Sequence, residues 1–171
     1  MKTLNVFEDY LNSKNSRNED NTKIDLYNCG GYALKTYSWY SPVDKELYST
    51  IYDMVDELYY EYDDINIAID KCLELNVQKM LKDFPENLRV VNKNSHLDRH
   101  EDLIAYRLAV KMDRQFIDEV DFHYVVKRHH KWTHKCGGLD IEKFHFTEKP
   151  WDTGAFIYNS PIIFLAFKNL K

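Results

Sequence analysis

Two stretches in the first half of the chain repeat their apolar residues every three or four positions. The first covers residues 44–60, and the second follows Asp63-Asp64, which can cap a helix, and runs to Phe84. The apolar residues of the first stripe are Leu47, Ile51, Met54, Val55, Leu58 and Tyr62. This spacing predicts two amphipathic helices, and Pro85 ends the second.

A shorter helix is predicted upstream, beginning at Asn28-Cys29 and ending near Trp39. Leu34 and Tyr37 lie three positions apart, as they would on one face of a helix. Pro42 ends the segment, because a proline pushes the residue before it away from helical dihedrals.

Beyond residue 87 the pattern changes to alternation and short apolar runs, which are typical of strands. Residues 103–110 alternate, and residues 162–167 form a continuous apolar run expected of a buried strand. Residues 122–128 and 131–136 are predicted to form a β-hairpin across His129-His130. Helices followed by strands predict an α+β fold, with the helices packed on one face of an antiparallel sheet.

The composition agrees with one globular domain, which we place at residues 24–171. The chain has 171 residues, of which 44% are hydrophobic and 30% charged, and it contains no tract apolar enough to span a bilayer. Residues 1–23 are predicted to be a polar lead-in, with a short helix over 1–11 and a flexible stretch over 12–23.

Charge and cysteine content bear on partners and compartment. A net charge of -5 gives no general attraction to nucleic acid or to anionic lipid, so neither is expected as a partner. The basic residues 127–131 are expected to be a solvated turn, and a nucleic-acid contact there is the less favoured alternative. Residues 1–8 lack the apolar core of a signal peptide, and three cysteines at irregular spacing do not form a disulfide framework. We therefore expect a reduced, cytoplasmic protein.

Cys29, at the predicted start of a helix, is the candidate nucleophile. The positive end of a helix dipole and a neighbouring imidazolium both lower the pKa of a thiol. Gly30 and Gly31 are poor helix formers, but they let a neighbouring strand or a substrate approach the backbone closely. Buried packing is the alternative role for Cys29, and it is the role we expect for Cys72, on the apolar face of the last predicted helix.

His123 is the candidate general base, and the hairpin register selects its partner. A two-residue turn pairs residue 125 with His134, which places His134 diagonally from His123 on the same face. A base histidine needs a third group to set its tautomer and orientation, and His134 is placed for that role. The alternatives are Asp121, which we expect on the opposite face of its strand, and Asp140.

A metal site on the same hairpin is a further alternative. His129, His130, His134 and Cys136 offer nitrogen and sulfur ligands of the kind that zinc prefers. Alternate residues of a hairpin face opposite sides, however, and the sequence contains neither a CxxC nor an HExxH motif. We therefore assign no metal and expect no cofactor.

Cys29, His123 and His134 together resemble the papain-like superfamily, and within it the NlpC/P60-type cysteine peptidases and amidases. In that family a cysteine begins a helix, a histidine follows on a strand, and a polar residue, often a second histidine, lies on the next strand. Three blocks also look like segments of small uncharacterised proteins from bacteriophages and low-GC bacteria. These blocks are residues 28–34, 121–124 and 132–135.

The resemblance implies a papain-like fold and a thiol hydrolase or acyl-transfer enzyme that acts on an amide bond in a protein, a peptide or a related substrate. It makes Cys29 the nucleophile, His123 the base and His134 the orienting residue. No glutamine stands upstream of the cysteine to complete a papain-type oxyanion hole. Tyr27 or Asn28, with the backbone N–H of the cysteine, is expected to take that place.

The rival hypothesis is a catalytically inactive papain-like protein that binds a partner, for example a phage inhibitor of a host protein. Its binding surface would be an acidic, tyrosine-rich helical face, because tyrosine is enriched in protein interfaces. The tyrosines of this face are Tyr48, Tyr52, Tyr59, Tyr60 and Tyr62, and its acidic residues are Asp53, Asp56, Glu57 and Glu61.

Overall fold

Six antiparallel strands form one sheet, and α-helices pack against it. The computed structural model describes residues 27–137, 139, 141–144 and 151–169. Within these residues the helices are α1 (Cys29–Ala33), α2 (Ile51–Tyr62) and α3 (Ile65–Asp83). The strands are β1 (Leu88–Val91), β2 (Glu101–Asp113), β3 (Phe116–Arg128), β4 (Lys131–Lys135), β5 (Ile141–Phe144) and β6 (Ile163–Lys168), in the spatial order β1-β6-β2-β3-β4-β5. The predicted α+β architecture is confirmed, whereas residues 1–23 and Asp140 lie outside the described residues.

The two faces of the sheet are covered by different parts of the chain. The three helices pack on one face, where Tyr106 and Tyr124 are fully buried. The segment 151–162 covers the other face, where Trp151 and Tyr158 pack near Val125. Because side chains alternate along β3, His123 belongs to the face that carries this segment.

The two early helices are shorter than predicted. Helix α1 ends at Ala33 instead of near Trp39, because Lys35 and Tyr37 adopt left-handed backbone conformations that turn the chain back. Helix α2 begins at Ile51 instead of residue 44, because the Thr50 hydroxyl caps it. Helix α3 is as predicted, and its cap is Asp64, whose carboxylate accepts two backbone hydrogen bonds.

Two short strands were not predicted. β1 and β5 each have four residues and lie at opposite edges of the sheet. Neither strand shows the strict alternation of buried and exposed positions that marks a strand covered on one face. The two edge strands therefore cannot be recognised from the spacing of apolar residues.

Arg128 joins helix α1 to the sheet. Its Nε donates to Asp102 Oδ2 at 2.8 Å, and its Nη2 donates to the carbonyl oxygens of Tyr32 at 2.9 Å and Ala33 at 3.1 Å. The guanidinium also lies 4.6 Å from the centre of the Tyr32 ring. The expectation that residues 127–131 form a solvated turn is thus wrong for Arg128, although the other four residues are exposed.

The glycines after Cys29 allow the returning chain to pass close to α1. A Cβ on Gly31 would lie 1.9 Å from the Ser38 carbonyl oxygen, and a Cβ on Gly30 would lie 3.0 Å from that of Tyr40. The prediction was a close approach by a strand or a substrate, and the segment that approaches is instead the loop 38–40. The glycines thus fit α1 tightly into the structure, at the cost of local helix propensity.

Replacement of Gly31 by alanine is expected to destabilise the fold by at least about 2 kcal/mol, because the new methyl group must displace a backbone carbonyl. The free energy of unfolding in urea measures the effect. Gly30→Ala should cost less, since its nearest contacts are longer, and Ser49→Ala on the exposed surface serves as the neutral control. Equal stability of Gly31→Ala and the control would contradict the packing described.

Candidate functional site

The hairpin of β3 and β4 has the predicted register. His129 and His130 form the two-residue turn. Their φ values of 49° and 66° are both positive, as the type I′ turn common in β-hairpins requires. Val125 consequently pairs with His134, and Arg128 with Lys131. His134 therefore lies diagonally from His123, which is two positions before Val125 on the same face.

This register brings the two candidate histidines into contact. His123 Nε2 lies 2.9 Å from His134 Nδ1, and the rings meet edge to face with centroids 5.1 Å apart. His123 is only 2% exposed and stacks on the ring of Tyr158 at 5.0 Å. The imidazole is thus held on one side by packing and on the other by its neighbour.

A carboxylate continues the chain of contacts beyond His134. Glu142 Oε2 lies 3.5 Å from His134 Nε2. Since a carboxylate accepts, the proton of His134 belongs on Nε2, and Nδ1 then accepts the N–H of His123 Nε2. The lone pair of His123 is left on Nδ1, the nitrogen that a proton-accepting base would use.

Cys29 lies at the edge of β3, where β4 has stopped pairing. Its thiol is 3.8 Å from the carbonyl oxygen of Phe122, beyond the last paired residue, Val125. Asn28 caps α1 and so sets the position of Cys29 as the first helical residue. The nucleophile candidate and the base candidate are thus delivered to the same part of β3 by different elements.

An open cleft of about 640 Å³ contains both candidates. Much of its wall is aromatic, from the segment after α1 and from the segment that follows β5. Its lining residues include Cys29, Trp39, Tyr40, Asp121, His123, Cys136, Phe156 and Tyr158. The structure therefore brings Cys29 and His123 to one solvent-accessible site.

The expected lowering of the Cys29 pKa is not found. Burial raises the pKa of this thiol to about 12, and the backbone N–H groups of Tyr124 and Gly30 offset only part of that effect. Helix α1 has five residues, so its dipole is too small to compete. Burial likewise lowers the pKa of His123, to about 3. In the resting cleft the Cys29 thiol and the His123 imidazole are therefore both neutral.

The two residues proposed for the oxyanion hole have other partners. The Asn28 side chain donates to the Tyr40 carbonyl at 2.8 Å and accepts from the backbone of Gly31 and Tyr40. Tyr27 packs edge to face on Tyr37 and is not among the residues that line the cleft. The backbone N–H at the start of α1 is the remaining donor from the predicted set.

Asp121 lies on the same face as His123, so the expectation of the opposite face is wrong: residues two apart on a strand point the same way. Its carboxylate accepts the Tyr158 hydroxyl at 2.6 Å, and Tyr158 in turn stacks on His123. Asp121 thereby supports the ring indirectly, while His134 holds its nitrogen. Glu142 is the site residue that the sequence did not indicate, since it lies on the unpredicted strand β5.

The remaining cysteines differ in their surroundings. Cys72 is fully buried, and its thiol donates to the side chain of Asn76, in agreement with the packing role expected for it. Cys136 is partly buried, and its Sγ lies 3.7 Å from His134 Nδ1. The histidines at the turn, His129 and His130, are exposed, and they are not part of the cluster around Cys136.

Alkylation of Cys29 by iodoacetamide is expected to speed up about tenfold per pH unit between about pH 6 and pH 9, because a thiol with a pKa of about 12 gains thiolate throughout that range. Peptide mapping by mass spectrometry separates Cys29 from Cys72 and Cys136. The denatured protein is the control, since its thiols titrate near about pH 8.5. A Cys29 rate that levels off below about pH 8 would show a preformed thiolate instead.

Comparison with known proteins gave no match: no family model, no curated protein and no solved structure matches this chain. Among the described residues, no helix is long and apolar enough to cross a membrane. The chemistry of the cleft is therefore the basis for assigning a function.

Proposed function

We propose that the protein is a cysteine-dependent hydrolase or acyl-transfer enzyme of the papain-like, NlpC/P60-type class, acting on an amide bond. The observation that carries the proposal is the His123–His134 pair, joined at 2.9 Å, beside the cleft that also contains Cys29. A buried, oriented imidazole with a free lone pair and a thiol that lines the same cleft are the two groups that nucleophilic catalysis requires.

Catalysis in this site proceeds from the neutral pair. As Cys29 Sγ attacks the carbonyl carbon, its proton passes to His123 Nδ1, and the carbonyl oxygen gains the negative charge. The Cys29 backbone N–H donates to that oxygen. His123 then protonates the leaving amine. In the second step it accepts a proton from the water or amine that attacks the thioester, and it returns that proton to the Cys29 sulfur as the carbon–sulfur bond breaks. His134 keeps the tautomer of His123 correct through both steps.

The cleft wall favours a substrate with apolar or aromatic groups next to the scissile bond. Trp39, Tyr40 and Phe156 supply aromatic surface, and Lys45 is the one lysine or arginine among the described lining residues. The substrate class that best suits this aromatic cleft is a peptide or a side-chain amide of a protein.

We place the enzyme in a reducing compartment, the cytoplasm of a bacterial or phage-infected cell, because Cys29 and Cys136 act as free thiols.

The test is acylation by activated esters and anilides. The protein is expected to release p-nitrophenol from p-nitrophenyl acetate in a burst, and p-nitroaniline from aminoacyl p-nitroanilides. In both cases it should carry an acyl group on the peptide that contains Cys29. Cys29→Ala and His123→Ala should lower the rate at least about a hundredfold, within the range expected for loss of a nucleophile or a base. His134→Gln should lower it less and shift its pH dependence.

Cys72→Ala is the matched control, because it removes a thiol that does not line the cleft. Acylation of Cys29→Ala at the wild-type rate would exclude the proposal. Circular dichroism and the urea midpoint of each variant show that lost activity does not reflect lost folding.

A second candidate function is binding without catalysis, and a second cleft favours it. This acidic cleft, of about 1100 Å³, lies between α2 and the turn joining β2 to β3. The side chains of Tyr60 and Phe116 are 93% and 76% exposed there. Its lining residues are Tyr48, Asp56, Glu57, Leu58, Tyr59, Tyr60, Glu61, Asp63, Gln115 and Phe116. Four acidic groups beside exposed rings suit a cationic protein segment with an aromatic or aliphatic side chain.

If this candidate is correct, Lys/Arg-rich peptides selected from a display library should bind wild type and Cys29→Ala equally. The double variant Asp56→Asn/Glu61→Gln should weaken binding about tenfold, measured by fluorescence anisotropy at low salt. Glu46→Gln/Asp70→Asn, which removes the same charge from exposed positions elsewhere, is the control. An equal loss in both double variants would show a nonspecific charge effect, contrary to a binding site.

A further inference from the structure

We infer that His123, His134 and Cys136 form a binding site for a zinc-like divalent ion, and that the ion switches off the proposed hydrolase by occupying its base. The inference rests on the proposed function for its regulatory part. One ligand atom from each of the three residues lies within 4.8 Å of the other two. Cys29 is not one of the three ligands, so the ion and the nucleophile are separate.

Two of the three ligand distances are within about 0.4 Å of those around a tetrahedral ion, and the third, from His123 to Cys136, is at most 4.8 Å. Zinc bonds of about 2.0 to 2.3 Å to nitrogen and sulfur place tetrahedral ligand atoms about 3.3 to 3.6 Å apart. The His134 nitrogen and the Cys136 sulfur are already 3.7 Å apart. The two histidine nitrogens, at 2.9 Å, must separate by about 0.4 Å, a small ring rotation, to admit the ion.

The surroundings match a metal site beyond the ligands themselves. A metal-bound histidine typically donates its other N–H to a carboxylate, and Glu142 lies 3.5 Å from His134 Nε2, on the side away from Cys136. Two neutral imidazoles, one thiolate and this carboxylate balance the charge of a divalent ion. Three protein ligands leave a fourth position for water from the cleft, and Cys136 and His123 both line that cleft.

Occupation of this site removes the base. An ion on His123 Nε2 takes the place of that nitrogen's proton, and the ring's proton then resides on Nδ1. An imidazole in this state has no lone pair left to accept the proton of Cys29. Binding also releases the Cys136 thiol proton to solvent, because the thiolate is the ligand. No bond to Cys29 forms or breaks.

The experiment uses Co²⁺ as a spectroscopic probe and Zn²⁺ as the inhibitor. Co²⁺ added to the full chain in the Cys29→Ala background should bind one to one and produce a sulfur-to-cobalt charge-transfer band in the near ultraviolet. Cys136→Ser in the same background should abolish the band and weaken binding at least about tenfold. His129→Asn/His130→Asn, which removes two histidines of the same hairpin and keeps residues that tolerate positive φ, should bind as before.

Inhibition is measured separately, as ester acylation of the wild-type protein with Zn²⁺ and after EDTA. We expect at least a tenfold loss that EDTA reverses, and in Cys136→Ser a much smaller loss relative to that variant's own metal-free rate. A charge-transfer band that survives Cys136→Ser, no binding in Cys29→Ala, or binding without inhibition would each overturn the inference. The proposed hydrolase is tested independently, by acylation in EDTA.

Discussion

Arg128 connects the helix that carries Cys29 to the sheet, and the position of the candidate site depends on that connection. Its guanidinium pairs with Asp102 on β2 and binds the carbonyl groups at the end of α1, while the Tyr32 hydroxyl contacts Thr133 on β4 at 2.8 Å. A helix of five residues cannot hold itself in place by its own hydrogen bonds. Because these partners leave α1 no freedom to slide along the sheet, the thiol of Cys29 is fixed at the free edge of β3.

The same tight packing determines the electrostatics of the site. Burial keeps Cys29 protonated and His123 neutral, so neither group carries charge before a substrate arrives. A thiolate–imidazolium pair would react with any electrophile that entered the cleft. In the proposed mechanism, a neutral pair would move its proton only when a carbonyl carbon is aligned with the sulfur, and selectivity would come from that alignment.

Local chemistry explains why the hairpin was predictable and the ends of α1 and α2 were not. The contact of His123 with His134 follows from period-two alternation and a two-residue turn, both of which lie within a dozen residues. The end of α1 is set by Arg128, 95 residues away from Ala33, and by the return of the chain past Gly31. The sequence around Cys29 contains no pattern that would indicate either of these contacts.

Other features of the site were beyond sequence reasoning for related reasons. Glu142 lies on an edge strand of four residues, too short for its periodicity to be recognised. The pKa of Cys29 is controlled by burial, which is a property of the assembled fold. The face of Asp121, in contrast, follows from the two-residue strand period, and its proximity to His123 was deducible from the sequence alone.

The order in which the chain brings the site together has a kinetic consequence. His123 and His134 are separated by 11 residues and meet as soon as the hairpin closes, a step that takes microseconds in isolated hairpins. Cys29 reaches the Phe122 carbonyl across 93 residues, a contact that requires the sheet and the helices to be in place. The His123–His134 pair is therefore assembled early, and Cys29 reaches β3 last. A partly folded chain would therefore hold the His123–His134 pair before Cys29 joins it, and the complete site would appear only with the finished fold.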